Sequence, residues 1–127
     1  MQKQEPAAEK ILVIEDDYDL QQILQKLLSI HGYQVLTAVT GAQGIDLFSR
    51  NGRDLSAVIL DLTLPDADGE NLLVEFQHAL PDIPVIITSG MAAPEQHRRL
   101  QAAGAKAILI KPFELQKLVK TITSHSK

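Results

Sequence analysis

Five short, largely apolar runs punctuate the chain: Ile11-Leu-Val-Ile14, Gln34 to Val39, Ser56 to Leu60, Val85-Ile-Ile-Thr88 and Ala107-Ile-Leu-Ile110. Most are rich in β-branched residues and unbroken by charge, which predicts strands covered on both faces, as in a parallel sheet. The segments between them change period. Leu20, Ile23, Leu24, Leu27 and Leu28 fall at i, i+3, i+4, i+7 and i+8 and predict a helix, which His31-Gly32 stops. Thr40 is placed to N-cap a second helix carrying Ile45 and Phe48, ended by Asn51-Gly52. Leu72, Phe76, Ala79 and Leu80 share one face of a third, from about Glu70 to Leu80. Pro94 to Ala103 forms a fourth with a weak apolar stripe, so it is expected to be loosely held, and Gly104 caps it. Leu115, Leu118, Val119 and Ile122 mark a fifth.

Strict alternation of strand and helix implies an α/β fold, with a parallel sheet and helices on both faces. The expected organisation is one doubly wound (βα)5 domain over residues 11–124. A flexible leader or linker occupies 1–10 and a tail 125–127. No internal repeat or second domain is visible.

Composition narrows this picture. A chain of 127 residues suits one domain, and at this length roughly 65–70% of the unfolded surface is buried. The net charge of -4 offers no footprint for direct nucleic-acid binding. With no cysteine, disulfides and zinc-thiolate sites are excluded. No apolar run approaches the roughly 18 residues of a membrane span. The first ten residues lack the apolar centre of a signal peptide. A cytoplasmic location follows by default.

The chemistry sits just past the strands. The first ends at Glu15 and Asp16, the third at Asp61, the fourth at Ser89 and the fifth at Lys111. In a parallel sheet these ends share one edge, where open α/β sheets bind ligands. Clustered carboxylates repel unless a cation intervenes, and with oxygen ligands alone the fitting cation is Mg²⁺. A carboxylate nucleophile with a metal, an ammonium and a hydroxyl nearby fits phosphoryl transfer, giving an aspartyl phosphate on Asp61. Each feature alone has a plainer reading. Asp16, Asp17 and Asp19 suit the first helix's N-terminus. Asp66 and Asp68 suit a turn before Gly69. Ser89-Gly90 suits a turn, and Lys111 a solvated surface. His31, His78, His97 and His125 share no ligand-like spacing.

Four motifs together carry a resemblance: Ile11-Leu-Val-Ile-Glu-Asp-Asp17, Leu60-Asp-Leu-Thr-Leu-Pro-Asp-Ala-Asp-Gly69, Pro84-Val-Ile-Ile-Thr-Ser-Gly90 and Lys111-Pro-Phe113. From about Lys10 to Ser124 the sequence resembles the receiver domain of bacterial two-component response regulators. The resemblance implies a flavodoxin-like sheet of strand order 2-1-3-4-5. It implies that Asp61 is the phosphoacceptor and that Glu15, Asp16, Asp61 and the Thr63 backbone carbonyl hold Mg²⁺. Ser89 would be the switch hydroxyl, Lys111 would contact the phosphoryl group, and the Lys111–Pro112 bond would be cis.

The implied partners are a histidine kinase or phosphotransfer protein and a downstream output protein or domain, with no direct nucleic acid and no membrane. The implied role is phosphoacceptor signalling rather than enzymatic turnover, apart from slow self-phosphorylation and dephosphorylation. Its output surface would lie around the fourth helix, fifth strand and fifth helix.

One position departs from the family. Three residues before the lysine, where relatives usually carry Tyr or Phe, this chain has Ile108, which has no polar tip to swing between partners. A flavodoxin-like cofactor site would need hydroxyls and glycines where Glu15-Asp16-Asp17 stand. A phosphatase of the haloacid dehalogenase kind would need a second Asp where Thr63 stands. The remaining alternative is a pseudo-receiver that binds partners without being phosphorylated.

Overall fold

The computed structural model describes residues 9–90 and 93–126, so residues 1–8 of the leader expected at 1–10, and Lys127 of the tail, fall outside the described residues. In chain order the elements are β1 (Lys10–Ile14), α1 (Tyr18–Ile30), β2 (Gln34–Ala38), α2 (Gly41–Asn51), β3 (Leu55–Asp61), α3 (Gly69–Ala79), β4 (Val85–Ser89), α4 (Pro94–Ala102), β5 (Ala105–Ile110) and α5 (Leu115–His125). A 3₁₀ turn, Gly52–Asp54, joins α2 to β3. The strands form one parallel sheet, as the alternation predicted, in the order β2-β1-β3-β4-β5 that the family resemblance implied. Among the described residues no helix is long and apolar enough to cross a membrane.

The continuous apolar strands conceal a period of two. Ile11, Val13, Ala57, Ile59, Ile86 and Leu109 face Leu24 and Leu28 of α1 and Leu118 and Ile122 of α5. Their neighbours Leu12, Ile14, Val58, Leu60, Val85 and Ile87 face Phe48 of α2, Leu72, Leu73 and Phe76 of α3, and Leu100 of α4. Side chains alternate across a strand, so two cores form on opposite faces of one sheet. All seven residues of β3, the central strand, are buried. The Phe48 and Phe76 rings stack at 4.2 Å between centroids, joining α2 to α3.

The structure differs from the sequence reading in detail. Lys10, placed in the leader, opens β1 and pairs with Gln34 and Leu55. Ladder pairing uses the backbone and tolerates a charged side chain at a strand's half-buried start. α5 continues through His125, placed in the tail, since no Gly or Pro stops it sooner. Ile23 and Ile45, read as core positions, are exposed, as is Ala79. The buried stripes are narrower: Gln21, Leu24 and Leu28 in α1, and Gly41, Gly44 and Phe48 in α2. Gln21 takes a core position because its amide donates to the Ala38 carbonyl at 3.0 Å and to that of Glu15 at 3.3 Å, which satisfies a buried polar group.

Candidate functional site

The carboxyl edge of the sheet gathers the residues that the strand ends promised. β1 runs into Glu15, whose amide donates to the Ala38 carbonyl at 2.9 Å. That bond fixes the carboxylate at the edge, and Glu15 is 1% exposed. Asp16 follows and is exposed. Asp17 caps α1 by accepting from the Leu20 amide at 3.1 Å; its own amide donates to Glu15 Oε2 at 3.1 Å. Asp61 closes β3, 3% exposed, and accepts from the Thr63 amide through Oδ1 at 3.1 Å. Ser89 ends β4, is buried, and has its carbonyl bonded by the Lys111 amide at 2.7 Å. The Lys111–Pro112 peptide is cis.

Carboxylate oxygens of Glu15, Asp16 and Asp61 all lie within 4.8 Å of one another. Lys111 balances part of this charge. Its Nζ is 2.7 Å from Glu15 Oε1 and 3.4 Å from Asp61 Oδ2, so its tighter partner is Glu15. The sequence reading expects Asp61 to be the partner of Lys111 before phosphorylation; the structure keeps that contact but puts Glu15 closer. The ranking depends on how deep each strand end lies, which no local motif encodes.

The electrostatics follow from burial. The Asp61 carboxyl is pushed up to about 7, first by desolvation and then by the neighbouring Glu15 carboxyl, against the Thr63 hydrogen bond. Asp16 is held below its usual range: its desolvation acts upward, but hydrogen bonds with Asp61 and Glu15 outweigh it. These two directions describe one state. Like charges this close do not all ionise easily, so the buried Asp61 gives up its proton last, near neutrality, while Asp16 ionises readily. Desolvation works against the Lys111 ammonium, but Glu15 and Asp61 more than offset it and its pKa is raised. An oxygen-only, anionic donor set whose three carboxylates crowd within 4.8 Å fits a hard divalent ion.

Beside Asp61 lies an open groove of about 470 Å³, lined by Leu62, Thr63, Asp68, Glu70, Ser89, Gly90 and Gln96. Leu62, the residue just past β3, and Ser89, the last of β4, both line it. One of its lining residues, Glu70 of α3, pairs with Arg99 of α4 at 3.2 Å. Ile108 lies on the α4 side of the sheet, half-buried against the larger core.

Sequence reading assigned Asp66 and Asp68 to a turn. Asp68 does more, capping α3 through the Glu70 amide at 2.9 Å. Asp66 reaches across to the start of α2, where it accepts from the Gly41 and Ala42 amides at 2.7 and 3.1 Å. Only the spacing of Thr40-Gly41 and Pro65-Asp66 relative to their strands could have hinted at that contact.

Comparison with known proteins agrees with this geometry. The family model for the response regulator receiver domain matches residues 11–123. The transcriptional regulatory protein PrrA of Mycobacterium bovis is 32% identical over 113 residues, covering 89% of this chain and 48% of that protein. The sensor kinase CckA of Brucella abortus is 31% identical over 112 residues, 88% of this chain and 12% of the kinase. The chain thus spans about half of one relative's length and a small part of the other's. The crystal structure of a response regulator receiver domain protein from Clostridium thermocellum superposes with a TM-score of 0.87 at 32% identity, covering 92% of this chain and 93% of that one.

Proposed function

The chain belongs to the response regulator receiver domain family, and we propose that it takes up a phosphoryl group on Asp61 from a histidine kinase or phosphotransfer protein. The observation that carries this reading is the convergence of Glu15, Asp16 and Asp61 within 4.8 Å, beside Lys111 and an open groove. Glu15, Asp16, Asp61 and the Thr63 carbonyl would hold Mg²⁺. When bound, the ion offsets charge on the phosphoryl oxygens and keeps Asp61 ionised.

The residues divide the remaining work. The Asp61 carboxylate attacks phosphorus, the bond from phosphorus to the donor breaks, and the donor's imidazole nitrogen keeps the electron pair. The Thr63 amide orients one Asp61 oxygen. Lys111 stands near the other and is free to shift from Glu15 toward a new dianion. Ser89 supplies a hydroxyl within the groove wall that can donate to a phosphoryl oxygen. A cytoplasmic signalling role, with output through another protein or domain, goes with this reading.

Incubation with acetyl phosphate and Mg²⁺ tests it. One phosphoryl mass, labile to alkali and hydroxylamine, is expected. A protein that binds a cognate kinase yet shows no Mg²⁺-dependent mass gain from either donor is a pseudo-receiver instead.

The output route can be tested separately. α4 is held by a single buried side chain, Leu100, and by the exposed Arg99–Glu70 pair. Such an element shifts at low cost. Binding of beryllofluoride is expected to move the amide signals of Ser89 and residues 93–100 strongly, while Ile108 keeps its rotamer. Ile108→Ala should leave phosphorylation unchanged. An Ile108 that flips on activation, with partner binding lost on its truncation, would place the switch in β5 instead.

A further inference from the structure

The loop between β3 and α3 carries Thr63, and something must fix that loop if Thr63 is to serve the acidic cluster. At its base the loop closes on itself: the Gly69 amide donates to the Leu62 carbonyl at 3.1 Å, and Thr63 forms a bridge with Asp68. A Cβ on Gly69 would sit 2.6 Å from the Leu62 backbone, so only glycine permits that closure. Leu62 and Leu64 are buried in the larger core. The loop's tip has a different anchor. Asp66 places its two carboxylate oxygens on two successive amides, Gly41 at 2.7 Å and Ala42 at 3.1 Å. Ala67 then lies against Gly41 so closely that a Cβ there would come within 2.5 Å of the Ala67 methyl.

The partner of this clamp is itself tied to the site. Gly41 and Ala42 open α2, immediately after β2 and Thr40. The last residue of β2, Ala38, accepts the Glu15 amide. One corner of the fold therefore holds both Glu15, through β2, and the loop bearing Thr63, through Asp66. The helix start also has its own cap, since Thr40 accepts from the Gln43 amide at 3.1 Å and Gln43 accepts from the Val39 amide at 2.9 Å. Asp66 is thus not needed to begin α2. Its carboxylate adds a charge-assisted contact that joins two loops of the site.

We propose that Asp66 is a positioning residue for the acidic site: its carboxylate clamps the β3–α3 loop to the first turn of α2 and so holds Thr63 in register with Glu15, Asp16 and Asp61. The inference rests on the reading of that cluster as a cation site. Asp66 touches none of the three carboxylates and acts through the loop. Removing it frees the tip while leaving the core and the cap of α2 intact.

Mn²⁺ binding to the full chain, followed by the paramagnetic resonance of the free ion, tests this without any phosphoryl donor. Asp66→Ala is expected to weaken Mn²⁺ about 10-fold, the lower end of what groups orienting metal ligands contribute. It should also shift the Thr63 amide resonance. Asp66→Asn keeps one acceptor oxygen and should fall between Asp66→Ala and the wild type; it also serves if the alanine variant folds poorly. Thr40→Ala is the control. It removes a cap from the same helix and lowers the melting temperature, but should leave Mn²⁺ affinity and the Thr63 amide unchanged. Wild-type affinity in Asp66→Ala, or an equal loss in Thr40→Ala, would overturn the proposal. If the wild type itself binds no Mn²⁺, the cation-site reading fails and takes this inference with it.

Discussion

Asp61→Asn is expected to make the metal-free protein more stable above neutral pH, by about 2 to 4 kcal/mol, while abolishing uptake of the phosphoryl group. The gain follows from the position of Asp61. Its carboxyl titrates near 7 in the folded chain against 3.8 as a free side chain, because burial and the Glu15 carboxyl both disfavour its charge. Between those two values the folded state holds a proton that the unfolded chain has released. Stability therefore falls as pH rises through that window, and above it the folded protein carries the full repulsion. An amide at this position cannot ionise, yet its oxygen still accepts the Thr63 amide that now bonds Oδ1 at 3.1 Å. Denaturant titrations in EDTA should show the wild type losing stability from about pH 4 to about pH 8, with a much flatter curve for the variant. Mg²⁺ should reverse the order, since it stabilises the chain that still has all its carboxylates. An Asp61→Asn protein no more stable than wild type at about pH 8 in EDTA would mean that the cluster is not repulsive and that Lys111 already neutralises it.

Much of this site was legible in the sequence because strand ends are legible. A short apolar run that stops at a carboxylate fixes both the strand and the edge on which the carboxylate lies. Glu15, Asp61, Ser89 and Lys111 were found in this way, one strand at a time, and the alternation of periods placed them together. What the sequence does not carry is depth and non-local bonding. Ile23 and Ile45 fit the helical period yet face solvent, because a periodic stripe shows which side of a helix is apolar but not how wide a contact the sheet provides. Gln21 adds nothing to the apolar stripe yet is buried, since its partners, the Ala38 and Glu15 carbonyls, lie outside its helix. Asp66 reads as a turn former for the same reason: its true partners, Gly41 and Ala42, lie about twenty-five residues earlier. The pairing preference of Lys111 for Glu15 over Asp61 likewise depends on the seating of two strand ends, a tertiary fact.

That preference leads to the opposite effect at Lys111. Lys111→Met should destabilise the metal-free protein at neutral pH by about 2 to 3 kcal/mol, somewhat below the cost of breaking a fully buried pair. The discount reflects a side chain that is 26% exposed. Glu15 has no such exposure, and at 2.7 Å Lys111 is its ion-pair partner. Losing the ammonium leaves an anion in the sheet edge without a cationic partner among the described residues, held by the Asp17 amide and crowded by two other carboxyls. The pH dependence distinguishes this mechanism from simple loss of packing. Acidification lets Asp61, pushed up to about 7, take up a proton and relieve the cluster, so the penalty should shrink toward about pH 5 and reach its full size near pH 8. Without the ammonium, Asp61 should hold its proton more tightly still, and phosphorylation by acetyl phosphate should slow at neutral pH and recover as pH rises. Combined with Asp61→Asn, the loss at neutral pH should be smaller than the sum of the single effects, because the two side chains share one cluster. A constant penalty from about pH 5 to pH 8 would assign Lys111 a packing role alone. It would also remove it from the electrostatics on which the proposed transfer to Asp61 depends.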